Sequence, residues 1–185
     1  ATQPELPAAR VERFVEQYGL SRADATVLGS AGALATYYEE VVAAGAGAKP
    51  AANWVMGEYL AHINAAGLEA GHGHMTADRL ARLIRLVEDG AVSTSAAKDV
   101  FARMIDERAE PEEIVDKYGL GQISDSSELE AIVAQVVADN PAQVEQYRGG
   151  KQQVIGFFVG KVMKASGGRA NPQVVNDLLR RALDA

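Results

Sequence analysis

Thr76-Ala77-Asp78-Arg79-Leu80-Ala81-Arg82-Leu83-Ile84-Arg85-Leu86-Val87-Glu88-Asp89-Gly90 decides the fold class of this chain. Leu80, Leu83, Ile84 and Val87 recur at i, i+3, i+4 and i+7, which gathers them on one stripe of an α-helix. Thr76 stands just before the stripe, where a hydroxyl can accept a free N–H of the first turn. Asp89-Gly90 turns the chain at the far end.

The same grammar repeats toward the N-terminus. Gly67 to Met75 holds three glycines and two histidines and reads as an exposed loop. Before it, Lys49-Pro50 opens a helix that buries Val55, Met56, Tyr59, Leu60 and Ile63. Residues 31–44 form a helix with Leu34, Tyr37, Tyr38, Val41 and Val42, closed by Gly45-Ala46-Gly47. Pro7 suits a first turn, Val11, Phe14, Val15 and Tyr18 form its stripe, and Gly19 supplies a left-handed stop. Ser21 with Asp24 caps the next helix.

Toward the C-terminus, Ser93 or Ser95 starts a helix carrying Ala97, Val100, Phe101, Met104 and Ile105. A short helix runs from Pro111 to Gly119. Ser124-Asp125-Ser126-Ser127-Glu128 is a polar start for Leu129, Ile132, Val133, Val136 and Val137. Asn140-Pro141 begins a short helix to Tyr147, and Gly149-Gly150 precedes one with Ile155, Phe157, Phe158, Val162 and Met163. After the tight loop Ser166-Gly167-Gly168-Arg169, Asn171-Pro172 opens a last helix with Val174, Val175, Leu178, Leu179 and Leu183. The β-branched pairs Val41-Val42 and Val136-Val137 lie inside a helical period, so no strand is predicted. The expectation is an all-α, multihelical chain of about ten helices in two packed groups, residues 1–115 and 116–185.

Composition agrees. Apolar residues make up 48% of the 185 and aromatics only 6%, a balance that favours alanine-rich helices. With no cysteine there is neither a disulfide nor a thiolate metal site, which fits a cytoplasmic setting. No apolar run reaches the roughly 18 residues of a membrane span, so no membrane partner is expected. The chain begins Ala1-Thr2-Gln3-Pro4-Glu5 without an initiator methionine, as a fragment or a processed chain would.

Charge is uneven. The whole chain is −7, yet residues 146–181 hold Arg148, Lys151, Lys161, Lys164, Arg169, Arg180 and Arg181 against the single acid Asp177, a window of +6 beside a remainder of −13. A basic end on an acidic body can steer a polyanion to one place; a solvated helix face is the plain alternative. Within that window Gly156 and Gly160 lie four apart on one helix face. Each costs about 1 kcal/mol of helix propensity, which tight packing against a second helix, or a ligand at the backbone, would offset; packing is the expectation. Gly167-Gly168-Arg169 reads equally as a phosphate cradle or as a plain connector.

Other constellations are weak. His72 and His74 lack a ligand set, so a metal site is not expected. His62 is a helix-face residue and Trp54 a core or interface anchor. Adjacent acids such as Glu39-Glu40 and Glu112-Glu113 do not face each other across a cleft, and no nucleophile elbow appears, so no catalytic residue is assigned.

Several segments in order resemble one family. They include Pro4-Glu5-Leu6-Pro7, Tyr18-Gly19-Leu20, Ala51-Ala52-Asn53-Trp54-Val55-Met56-Gly57-Glu58, Ala97-Lys98-Asp99-Val100-Phe101, Gly156-Phe157-Phe158-Val159-Gly160-Lys161-Val162-Met163-Lys164 and Gly168-Arg169-Ala170-Asn171-Pro172. Together they resemble the C-terminal helical and YqeY-like tail domains of the B subunit of aspartyl/glutamyl-tRNA(Asn/Gln) amidotransferase, the GatB/YqeY family. The resemblance implies a subunit of a carbon–nitrogen ligase that uses glutamine to convert Glu-tRNA(Gln), Asp-tRNA(Asn) or both. It implies partners: tRNA and the A and C subunits. It places ATP and magnesium in a cradle domain that is not matched here, so no cofactor is expected in this chain. It also implies that the tail meets the outer corner of tRNA, through Lys151, Lys161, Lys164 and Arg169, then Arg180 and Arg181. A structural or protein-docking module is the alternative, suggested by the acidic body and by Tyr37 and Tyr38 as exposed aromatics. Arg169 stands where lysine is frequent in the family, and Ser93-Thr94-Ser95 replaces a glycine-containing connector.

Overall fold

A computed structural model describes residues 5–123 and 126–184, and all regular structure among them is helical. The predicted helix start at Ser124 and Asp125 lies outside the described residues. The helices are α1 (Pro7–Tyr18), α2 (Arg22–Gly29), α3 (Gly32–Ala43), α4 (Ala48–Trp54), α5 (Leu60–Ala66), α6 (Ala77–Glu88), α7 (Thr94–Glu107) and α8 (Pro111–Tyr118). They continue with α9 (Ser126–Ala138), α10 (Pro141–Arg148), α11 (Ile155–Ala165) and α12 (Pro172–Asp184).

The caps account for most boundaries. Thr76 Oγ1 accepts the Arg79 N–H at 3.4 Å, Ser21 Oγ that of Asp24 at 3.1 Å and Ser93 Oγ that of Ala96 at 3.1 Å, so Ser93 rather than Ser95 begins α7. Gly19 at φ 63° and Gly119 at φ 59° end α1 and α8 in the left-handed region. One local element differs from the predicted continuous helix: Val55–Tyr59 between α4 and α5 is a π-helical turn. Val55, Tyr59 and Ile63 are buried through and beyond this turn.

Two hydrophobic cores form. The first draws on α1 to α8 and is built around aromatics: Phe14 meets Tyr38 at 5.3 Å between centroids, and Tyr37 stacks on Tyr59 at 3.9 Å. Tyr37 and Tyr38 are fully buried, which corrects their reading as exposed docking aromatics. Their place follows from their spacing with Leu34 and Val41 on the inner stripe of α3. Trp54 is buried against Phe101, as expected of an anchor. The second core consists of Leu129, Val133, Val136, Tyr147, Phe158, Val162, Ala170, Val175, Leu179 and Leu183. Here α9, α11 and α12 pack pairwise, with α10 against α12 and α9.

The tyrosine stack also ties down the histidine loop. Tyr37 donates its hydroxyl to the Met75 carbonyl at 2.9 Å, and Tyr59 Oη accepts the Gly71 N–H at 2.8 Å. Burial raises the Tyr37 hydroxyl far above the ordinary phenol range, so it stays a donor. Tyr37→Phe keeps the ring stack but strands a buried carbonyl. It is expected to lower stability by about 1–3 kcal/mol in urea denaturation, and to raise hydrogen exchange at Gly71 and its loop neighbours.

Candidate nucleic-acid interface

Helix α11 carries the densest part of the basic window. Phe158 and Val162 point into the second core, with Ser166 buried just beyond the helix. At 100° per residue, the opposite face then collects Gly156, Phe157, Gly160, Lys161 and Lys164, all exposed. Phe157 is 39% exposed, and the Lys161 Nζ lies 5.4 Å from its ring centroid. No acid occurs in α11, and neither lysine forms a salt bridge with a described residue.

The glycines correct an expectation. A Cβ built on Gly156 or Gly160 meets nothing within 4 Å, so no second helix of the described residues packs there. The second core is filled by the other side of α11, and these two positions face open space.

The loop after α11 also resolves an ambiguity. Gly167 N–H donates to Lys164 O at 3.1 Å, and Gly168 N–H to Met163 O at 2.8 Å, the paired bonds of a Schellman stop. Arg169 N–H donates to Ser166 O at 3.1 Å. These N–H groups are consumed in closing the helix, so the phosphate-cradle reading fails and the connector reading stands.

The six predicted cations lie on and around α11 and on α12. Lys161 and Lys164 share the α11 face. Lys151 is exposed just before the short 3-10 turn Gln152–Val154 that leads into α11. Arg169 lies beyond the other end of α11, donating to Ser166 O at 3.3 Å and Gly119 O at 3.4 Å, with Glu128 at 4.0 Å. Arg180 and Arg181 are exposed on α12, three and four residues after Asp177. Arg181 borders a shallow groove with Glu130 of α9, while Arg180 lies beside Asp177. Lys161 and Lys164 thus lie on α11, and Arg180 and Arg181 on α12.

The contrast with the first group is electrostatic. There Arg13 is clasped by Glu5 and Glu39, Arg22 meets Glu12 at 2.6 Å, Arg79 and Arg82 share Glu110, and Lys117 meets Glu107 at 2.6 Å. The Arg13 guanidinium holds the Glu5 carboxyl below the usual carboxylate range, as hydrogen-bonded Lys117 does for Glu107. The cations of α1 to α8 are therefore largely neutralised in place, and those of α11 are not. Among the described residues no group of three or more histidine or acidic side chains gathers as metal ligands, and no helix is long and apolar enough to cross a membrane.

A family model for the GatB domain matches residues 36–183. The chain belongs to the GatB domain family. Similar proteins include the B subunit of aspartyl/glutamyl-tRNA(Asn/Gln) amidotransferase from Alkalilimnicola ehrlichii, 49% identical over all of this chain and 39% of the relative. Those of Halorhodospira halophila and Geobacter sulfurreducens are each 48% identical, over 99% and 97% of this chain and 38% of either relative. The chain thus spans about two fifths of the length of the curated relatives it matches, in their C-terminal part. The GatB domain match runs through both cores, from α3 to the end of α12.

Proposed function

We propose that this GatB-family chain is a tRNA-holding part of an amidotransferase B subunit and performs no bond-making step itself. The observation that carries the reading is the α11 solvent face, with two lysines, an exposed phenylalanine, no acid and no salt bridge to a described residue. Phosphates are attracted to such a surface, and every contact that releases a counterion makes binding fall with salt. A folded RNA corner would be held by shape and backbone, with Phe157 available to an unstacked base. Lys161 and Lys164 are the primary contacts, Lys151 and Arg169 extend the track at the two ends of α11, and Arg180 and Arg181 add a more distant field.

The rest of the proposal follows the family resemblance. The parent complex amidates Glu-tRNA(Gln), Asp-tRNA(Asn) or both, with the A and C subunits as companions. ATP and magnesium are handled outside these residues. The division into two groups, predicted at 115/116, belongs to the same proposal; the two separate cores support it, with all of α8 and Leu120 on the side of the first.

The test is filter binding of tRNA to the parent complex carrying Lys161→Ala with Lys164→Ala. Affinity should fall at low salt, and the slope of log K against log salt should become shallower by roughly 0.7–0.9 for each phosphate no longer neutralised. Identical affinity and slope would reject the assignment.

A further inference from the structure

The main helix pairings lie within α1 to α8 or within α9 to α12. Between the two groups the polar contacts gather on the residues just after α11. Ser93 Oγ donates to the Gly168 carbonyl, and the Ile123 N–H donates to the Arg169 carbonyl at 3.1 Å. With its side-chain oxygen toward Asn171, Gln122 accepts the Asn171 N–H at 3.2 Å and bridges it to the Gly90 carbonyl. A cleft of about 460 Å³, bordered by Val92, Met163 and Pro172, opens beside these bonds.

Ser93 is committed on both sides. A hydroxyl has one proton and two lone pairs. Its oxygen accepts the Ala96 N–H that begins α7, and its proton goes to Gly168. Ser93 is only 8% exposed, so water competes poorly for either bond. The carbonyl before Arg169 is thus held by α7, and the carbonyl of Arg169 by Ile123. One flank of the residue that roots the guanidinium is fixed to the start of α7, and the other to the linker after α8, where the Gln122 N–H donates to Ala91 O at 2.7 Å.

We infer that Ser93 is a positioning residue: through the Gly168 carbonyl it latches the end of α11 to the start of α7 and sets the attitude of the cationic face toward the first helical group. What that attitude serves rests on the RNA reading; the latch does not, so the two can fail separately.

The substitution that separates latch from cap is Ser93→Asp. Aspartate caps a helix as well as serine does, but an ionised carboxylate cannot donate to a carbonyl. Ser93→Thr keeps both functions. The chain has no cysteine, so Asn64→Cys and Gln173→Cys, both at exposed positions, accept spin labels for distance measurement on the 185-residue chain. Ser93→Asp should add a second, longer-distance population with helicity unchanged, and Ser93→Thr should restore the single one. A second pair guards against misfolding. Gly167 and Gly168 both have positive φ, but only Gly168 would press a Cβ on Ser95, at 3.0 Å from its Oγ. Gly168→Ala should therefore shift the distances and Gly167→Ala should not. A distribution indifferent to Ser93→Asp, or an equal response to the two glycine changes, overturns the latch.

Discussion

Phe158→Ala unfolds the second helical group and leaves the first one standing: that is the largest effect expected of any single change in this chain. Phe158 is fully buried at the centre of the second core, facing Val162 on its own helix stripe and the apolar sides of α9 and α12. Truncating a buried phenylalanine costs about 3–5 kcal/mol, because the ring leaves a cavity that closes only partly. A helical unit of this size, without disulfide or metal, draws only about 3–5 kcal/mol from its core, so nothing remains to hold α9 to α12. The molecule provides its own control. Trp54 is the only tryptophan and lies in the first core, so its fluorescence reports on α1 to α8 alone. The variant should lose the ellipticity contributed by α9 to α12, while the Trp54 transition in urea keeps its midpoint. Phe14→Ala should do the reverse, moving the Trp54 transition. A single transition that shifts for both probes in either variant would mean that the two cores unfold as one.

The sequence announces helices well here because each carries its own period and its own stops. Thr76, Ser21, Pro111 and Gly119 stand in the structure where their chemistry predicts them. Local chemistry cannot report what lies across a gap. Tyr37 and Tyr38 look like exposed aromatics until Phe14 and Tyr59, more than twenty residues away, are found covering them. The π turn at Val55–Tyr59 has no local signature. The same limit governs the site. Lys161 and Lys164 share a face because they share a helix, which spacing reveals. Whether Arg180 and Arg181 point the same way depends on how α12 crosses α11, which spacing does not reveal. Ser93 is legible as a cap, but its second bond, to Gly168 seventy-five residues on, is not.

Gly160→Ala is the second large expectation, and its sign carries the argument. Had Gly160 packed against another helix, a methyl group would force that helix away and destabilise the fold. It faces open space, so alanine should instead stabilise α11 by about 1 kcal/mol in urea denaturation, the usual difference in helix propensity for an interior position. Gly156→Ala should add less, since it sits in the first turn, where fewer helical bonds depend on it. On the RNA reading, a glycine that weakens its own helix and leaves its Cβ position open lets a ligand approach the backbone closely. That ligand is a ribose–phosphate strand passing between Lys161 and Lys164, and a methyl group at residue 160 holds it off. The parent complex with Gly160→Ala should then bind tRNA more weakly than the unaltered complex while unfolding at higher urea. Its salt slope should be unchanged, because no cation has been removed. That pattern differs from the lysine variants, which flatten the slope and leave stability nearly where it was. A Gly160→Ala protein that gains stability and keeps full tRNA affinity would place the RNA strand elsewhere on the second helical group.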